Sequence, residues 1–190
     1  MATGSSDSKR KRPRNLRPRV SVLRVGHRVG RDPRLTTHLA LAARALGARR
    51  MYLEPPDPDL SARVAALARG WGGSFEVEGV DDWKRVVRAF PGRVAHLTMY
   101  GEPLEKALPR LRRSGSLLLV VGGAKVPPDL YRVADVNVAV GSQPHSEVAA
   151  VAVLLDRLLG GPAASRFPGA RRRVVPRARG KKVVEVRRDR

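Results

Sequence analysis

In the stretch Val138–Arg157 (VAVGSQPHSEVAAVAVLLDR), a short apolar strand gives way to a polar loop and then to a strongly apolar helix. Gly141 and Pro144 favour a tight turn in the loop. Ser146 is a candidate N-cap, which places Glu147 in the first helical turn, where the helix dipole favours an acid. A polar loop between a strand and a helix N-terminus is where α/β proteins place ligands. The alternative for this loop, taken by itself, is a stable turn without a ligand.

Short apolar runs alternate with amphipathic stretches along most of the chain, a pattern typical of α/β proteins. Strands are predicted at 20–25, 50–53, 74–77, 94–98, 117–121 and 136–140. Helices are predicted at 35–46, 60–69, just after Asp81-Asp82, 103–112 and 146–159. The first helix is expected to bury one face, formed by Leu35, Leu39, Ala42 and Leu46. About six strands alternating with helices imply a mostly parallel sheet flanked by helices on both faces.

The positive charge is concentrated at both ends of the chain. The net charge is +21, and residues 1–19 and 162–190 are its most basic segments. We therefore predict three parts: a basic, disordered N-terminal arm at 1–19, one folded domain at 20–161 and a basic extension at 162–190. Basic arms bind phosphate backbones without reading sequence. The alternatives are solvated tails or a bias toward arginine in the whole composition.

Composition and motifs exclude several classes of protein. The chain has no cysteine, which excludes disulfides and thiolate metal sites, and no apolar run long enough to cross a bilayer. Its N-terminus does not resemble a secretory signal, so we expect a soluble, cytoplasmic protein without a membrane partner. Four histidines without ligand-type spacing predict no metal site. The turn at 26–31 is too basic and wrongly spaced for a dinucleotide fingerprint, and no G-x-S-x-G elbow supports a serine hydrolase.

Three further motifs accompany the opening stretch: Arg24–His38 (RVGHRVGRDPRLTTH), His96–Gly101 (HLTMYG) and Val121–Pro127 (VGGAKVP). Each is weak alone, but the four in this order are specific. Over residues 20–161 the chain resembles the archaeal tRNA cytidine-56 2'-O-ribose methyltransferases, a branch of the SPOUT superfamily. The resemblance implies a SPOUT-type α/β domain with a C-terminal trefoil knot. It also implies a homodimer that methylates the ribose of the TΨC-loop cytidine in tRNA, with S-adenosyl-L-methionine as cofactor.

The resemblance also assigns residues to the cofactor. In the family, the loops after three C-terminal strands bind it. In this chain they correspond to Leu97, Gly122, Gly123, Ala124, Lys125, Val126, Val140, Gly141, Ser142, Gln143, Pro144, His145, Ser146 and Glu147. Two positions depart from the family pattern: Ala124 replaces an acid, and Ser142 replaces an asparagine.

Related ribose methyltransferases use an arginine of the first motif to orient a phosphate and assist deprotonation of the ribose. Aligning that motif on residues 43–48 puts Leu41 at the usual arginine position, so the role must move elsewhere. We predict Arg28 as the catalytic residue, with Arg31, Arg34 and His38 binding RNA. The alternatives are phosphate anchoring or a salt bridge to Asp32 for the arginines, and a structural role for His38.

A second function from another class stays open at this point. Ala124 and the basic arms favour an RNA-binding or ribosome-associated protein with a weakened cofactor pocket, whereas the intact VGSQPHSEV loop opposes it. A third possibility, methylation of a different RNA, differs only in substrate.

Overall fold

The computed structural model describes residues 17–123, 126–161 and 167–186. The predictions for Ala124 and Lys125, and for most of the N-terminal arm, lie outside these residues. Within them, no helix is both long enough and apolar enough to cross a membrane.

Six parallel strands form one sheet in the order β3-β2-β1-β5-β4-β6. The strands are β1 (Arg19–Val25), β2 (Arg50–Leu53), β3 (Glu76–Gly79), β4 (Arg93–Pro103), β5 (Ser116–Gly122) and β6 (Val136–Ala139). The helices are α1 (Pro33–Ala45), α2 (Pro58–Trp71), α3 (Trp83–Ala89), α4 (Leu104–Arg112), α5 (Asp129–Val133) and α6 (Glu147–Leu159). The predicted α/β class and parallel sheet are confirmed. Sequence analysis did not predict α5, which is only five residues long.

The central strand β5 explains the position of the core. Its residues from Leu117 to Val121 are all buried, because helices cover both faces of the sheet. Alternate side chains point to opposite faces, so Leu117 and Leu119 pack with α1, α2, α4 and α6. Leu118 and Val120 pack on the other side with α3 and α5. This double burial requires the continuous apolar run seen in the sequence.

The buried face of α1 differs from the predicted one. Leu35 is 38% exposed, and the buried residues of this helix are Thr36, Leu39, Ala40, Ala43 and Arg44. The buried face of α1 is therefore rotated about the helix axis, by about one residue, from the face that the apolar pattern predicts. The apolar pattern does not identify this face because it contains Arg44, which packs against Phe167 of the C-terminal segment.

Strand β4 contains an irregularity at the edge where the cofactor loops were predicted. Val138 of β6 is paired with both Leu97 and Glu102, so residues 98–101 bulge out of the sheet. Gly101 lies so close to β6 that a Cβ atom there would be 2.5 Å from the carbonyl carbon of Asn137. Bulges of this kind redirect side chains next to binding sites.

The C-terminal extension contains a folded hairpin. Strands β7 (Arg172–Val174) and β8 (Val183–Glu185) pair in antiparallel fashion. The hairpin is tied to the end of α2, since the Gly73 N–H donates to Pro168 O at 2.9 Å and the Arg171 N–H donates to Gly70 O at 3.1 Å. The segment 167–186 is thus part of the folded protein.

Candidate functional site

A cavity of about 640 Å³ opens at the carboxyl ends of β4, β5 and β6. This is the edge of a parallel sheet at which ligands usually bind. The bulge of β4 forms one wall and the loop before α6 forms another. Its lining consists of His96, Leu97, Thr98, Met99, Tyr100, Val121, Gly122, Gly123, Val126, Tyr131, Val138, Val140, Pro144, His145, Glu147 and Ala150.

The structure brings together residues from all three loops predicted to bind the cofactor. The predicted residues that line the cavity are Leu97, Gly122, Gly123, Val126, Val140, Pro144, His145 and Glu147. Gly141, Ser142, Gln143 and Ser146 belong to the same loop but do not line the cavity. Ser146 instead caps α6, where its Oγ accepts a hydrogen bond from the Val148 N–H at 3.2 Å.

His96 is a cavity residue that sequence analysis did not assign to the site. Its side chain is fully buried, and its Nδ1 lies 2.8 Å from Asn137 Oδ1. Asn137 also donates through Nδ2 to the carbonyl of Tyr131 at 2.9 Å, so its Oδ1 must accept the hydrogen bond from His96 Nδ1–H. Nε2 of His96 is consequently the unprotonated nitrogen, and it has no hydrogen-bond partner among the described residues. Burial lowers the pKa of His96, which keeps the ring neutral.

Four charged side chains form a network between β1, the loop before α1 and the start of α6. Arg24, only 1% exposed, places Nη2 3.4 Å from Glu147 Oε2 and 3.9 Å from Asp32 Oδ2. Asp32 in turn accepts from Arg28 Nε and Nη2, both at 2.9 Å. Arg24 was not predicted to be functional. In the sequence, an arginine inside an apolar strand looks the same whether it is buried or lies on an exposed edge strand. Only the tertiary structure shows that it lies beneath the cavity beside Gly123.

Glu147 is the acidic residue of the cavity wall. Burial raises its pKa, and the nearby Arg24 opposes this effect. Although Arg24 is close, Glu147 Oε2 has no partner with hydrogen-bond geometry among the described residues. The side chain of Glu147 is 21% exposed, so part of it remains open to a ligand in the cavity.

Arg28, the predicted catalytic residue, lies outside the cavity lining. Its side chain is 55% exposed and is joined to the cavity only through Asp32, Arg24 and Glu147. Its hydrogen bonds to Asp32 raise the pKa of Arg28 above the usual value, so the guanidinium stays charged. The salt bridge to Asp32 that sequence analysis considered is therefore present. Arg31, Arg34 and His38 are also exposed, on the same loop and the following helix.

Buried polar contacts hold this basic loop in place. His27, 2% exposed, lies between Asp57 and Thr36, with Nε2 3.2 Å from Asp57 Oδ2 and Nδ1 3.0 Å from Thr36 Oγ1. The Gly26 N–H donates to Glu54 Oε2 at 2.9 Å. These contacts tie the loop to the segment after β2, so its arginines project from a fixed backbone.

The site has a defined chemical character. Its walls are mostly apolar, His96 Nε2 is a buried acceptor without a hydrogen-bond partner in the described chain, and Glu147 places a carboxylate in the wall. A buried acceptor without a partner is costly, so this arrangement favours a ligand with an apolar body and N–H or cationic groups. The exposed side chains of Arg28, Arg31 and Arg34 near the cavity favour binding of a phosphate group. Over residues 17–123, 126–161 and 167–186, no three His, Cys, Asp or Glu side chains are grouped as a metal site.

The chain is similar in sequence to known tRNA methyltransferases. The sequence model of a family described as "tRNA ribose 2'-O-methyltransferase, aTrm56" matches residues 71–184. The match therefore includes most of the C-terminal extension, which sequence analysis had placed outside the resemblance. The tRNA (cytidine(56)-2'-O)-methyltransferase of Cenarchaeum symbiosum is 49% identical over 170 residues, which are 88% of this chain and 97% of that protein. The protein of the same name from Archaeoglobus fulgidus is 47% identical over 87% of this chain and 98% of its own.

Solved structures share the fold at low sequence identity. The SpoU methyltransferase AviRb from Streptomyces viridochromogenes, in complex with AdoMet, has a TM-score of 0.55 at 14% identity, covering 85% of this chain. The TrmH/SpoU tRNA modifying enzyme of A. aeolicus has a TM-score of 0.53 at 12% identity, covering 76% of this chain. This chain spans 64% of the first of these structures and 77% of the second.

Proposed function

The chain belongs to the tRNA ribose 2'-O-methyltransferase family, and on this premise we propose that it methylates the 2'-oxygen of cytidine 56 in tRNA, with S-adenosyl-L-methionine as methyl donor. The observation that supports this proposal is the cavity at the ends of β4, β5 and β6, in which apolar walls surround the carboxylate of Glu147 and one buried acceptor without a hydrogen-bond partner, His96 Nε2. Both features match a cofactor that combines an adenine ring with a sulfonium and an ammonium group. The alternative of a binding protein with a weakened pocket has less support, because relatives that are 49% and 47% identical to this chain are named tRNA (cytidine(56)-2'-O)-methyltransferases.

The residues of the cavity suit the parts of this cofactor. Leu97, Val126 and Val140 offer apolar contact to the adenine ring, while Gly122 and Gly123 allow close approach to the backbone. His96 Nε2 is available to accept from an amino group, and Glu147 offers a negative charge to the cationic part. When bound, the cofactor supplies an electrophilic methyl group, and the 2'-hydroxyl must lie in line with it and lose its proton.

We propose that the basic loop before α1 positions the RNA for this step. Arg28 is charged, exposed and fixed by Asp32, so its role is to hold a phosphate of the substrate beside the cavity. Arg31, Arg34 and His38 extend the same exposed surface. Positioning of this kind can supply much of the rate, because aligned reactants gain roughly 7–11 kcal/mol over a bimolecular encounter.

We also propose a homodimer, a trefoil knot in the C-terminal part and a cytoplasmic location, all of which rest on the family. The apolar face of α6, from Ala150 to Leu159, is buried in the core of the protomer and so provides no separate support for dimerisation. The molar mass from light scattering would decide between monomer and dimer.

The proposed function is tested with purified protein, radiolabelled S-adenosyl-L-methionine and an unmodified tRNA transcript. Label should appear on the ribose of cytidine 56 and disappear when that nucleotide carries a 2'-deoxy sugar. Label on another nucleotide would overturn the assigned target but keep the chemistry. Absence of label with tight tRNA binding would favour the binding protein instead.

Replacement of His96 by leucine tests its proposed contact with the cofactor. Loss of the Nε2 acceptor should weaken S-adenosyl-L-methionine binding by up to roughly tenfold, since one hydrogen bond between neutral groups contributes about 0.5–1.5 kcal/mol. Isothermal titration calorimetry measures the dissociation constant. A melting curve controls for the loss of the bond to Asn137. His38→Leu, a change of the same chemistry at an exposed position, should leave the affinity unchanged. Equal affinity of His96→Leu and the wild type would show that Nε2 does not contact the cofactor.

A further inference from the structure

A second cavity lies at the opposite edge of the sheet from the proposed active site. It has a volume of about 420 Å³ and is bordered by the beginnings of β1, β2 and β3 and by the end of α6. The seven-residue strand β1 separates the two edges by about 20 Å. Four arginines line this cavity, namely Arg17, Arg19, Arg44 and Arg49, and none of the described residues that line it is acidic.

Arg44 is the unusual member of this set. It is only 8% exposed, and its Nε has no hydrogen-bond partner in the described part of the chain. Its Nη2 donates to the carbonyl of Gly72, and its guanidinium carbon lies 4.7 Å from the ring centre of Phe167. Burial lowers the pKa of Arg44. Among the described residues, no carboxylate lies within salt-bridge distance of Arg44. Because a buried cation is normally paired, this position suits an anionic ligand.

The other arginines add charge that is not neutralised locally. None of Arg17, Arg19 and Arg49 is within salt-bridge distance of a carboxylate among the described residues. In contrast, Arg24 and Arg28 near the active site both lie within 4 Å of Asp32.

The hairpin extends this basic surface. Phe167, which packs on Arg44, and Pro168 line the cavity and lead directly into β7, which carries Arg172 and Arg173. Gly72 makes this docking possible, because a Cβ atom there would be 2.6 Å from Phe167 O and Ala170 N. The basic residues of the extension are thus held next to the cavity rather than at a distance from it.

We propose that this cavity binds a phosphate of the RNA backbone, as a second contact remote from the nucleotide that is methylated. The inference rests on the proposed tRNA substrate. Guanidinium groups around a water-accessible pocket without acids suit phosphoryl oxygens. Because the cavity lies at the far edge of the sheet, an RNA bound there and at the active site would run along the side of the domain. Such a contact orients the substrate without reading sequence.

The test compares two double variants with the same net charge. Arg17→Gln/Arg49→Gln removes two exposed arginines of the cavity and leaves Arg44 in place. Arg85→Gln/Arg113→Gln removes two exposed arginines elsewhere, on α3 and after α4. Affinity for the unmodified tRNA transcript is measured from 50 to 300 mM salt, and S-adenosyl-L-methionine affinity is measured in parallel.

The cavity variant should bind tRNA roughly five- to tenfold more weakly at moderate salt, with the slope of log K against log salt reduced by about one for each lost phosphate contact. Cofactor affinity should not change in either variant. Equal effects of the two double variants would show a general charge effect and overturn the proposal. Stabilisation of the wild type by inorganic phosphate in a melting assay, with an unchanged salt slope for tRNA, would assign the cavity to a small anion and also overturn it. Because tRNA binding is scored without methyl transfer, failure of the proposed methylation would be seen separately in the labelling assay.

Discussion

Replacement of Arg24 by methionine should abolish most methyl transfer and lower the free energy of unfolding by roughly 3–5 kcal/mol, the usual effect of removing one partner from a buried ion pair. Arg24 is the 1%-exposed cation between Glu147 and Asp32. Asp32 keeps its bonds to Arg28, but Glu147 loses its only described cationic partner within 4 Å. The charge and position of Glu147 in the wall of the proposed cofactor cavity should therefore change. Thermal melts and methyl transfer to a tRNA transcript measure the two effects.

A companion double variant separates charge from packing. Arg24→Met/Glu147→Gln removes both charges, so it should recover part of the stability that Arg24→Met loses. Burial already raises the pKa of Glu147, and removal of Arg24 should raise it further. A raised carboxyl pKa in the folded state means that its stabilising contribution is present below the unfolded pKa and is lost as pH rises through the folded pKa. The melting temperature of Arg24→Met should consequently fall, relative to the wild type, from acidic to neutral pH. A constant difference across pH, without recovery in the double variant, would contradict a role in neutralising Glu147.

Gly101→Ala should have the second largest effect, a loss of about 1–3 kcal/mol in unfolding free energy, as is typical of overpacking. The added Cβ would be 2.5 Å from the backbone nitrogen of Val138, which cannot move without disrupting the pairing of β4 with β6. The bulge also carries Met99 and Tyr100 on the cavity wall, so cofactor affinity should fall together with stability. Denaturant unfolding and calorimetric titration measure both quantities.

Gly115→Ala is the matched control for this prediction. A Cβ atom at Gly115 has no neighbour within 4 Å, so the substitution should be neutral or slightly stabilising. If Gly101→Ala unfolded at the same denaturant concentration as Gly115→Ala, the close approach of β4 to β6 would not be a constraint on this position.

Much of the architecture can be read from local patterns in the sequence. The apolar run at 117–121, the predicted strand at 50–53 and the Ser146 cap all appear in the structure as predicted. These features are encoded by neighbouring residues, through side-chain periodicity and the competition of Ser for backbone N–H groups. The loop before α6 was found for the same reason, whereas the other two loops of the cavity wall were assigned through the resemblance to a family.

The sequence by itself determined the order of the elements and the polar loop before α6, because both follow from short-range pattern. The other two cofactor loops were assigned through the resemblance to a family. Only the tertiary structure decided that Arg24 meets Glu147, that His96 leaves one nitrogen without a partner, and that Arg44 is buried under Phe167. These outcomes depend on which distant segments exclude water from a given side chain. Desolvation changes the pKa and the hydrogen-bonding needs of a polar group, and it arises only when the strands and helices have packed.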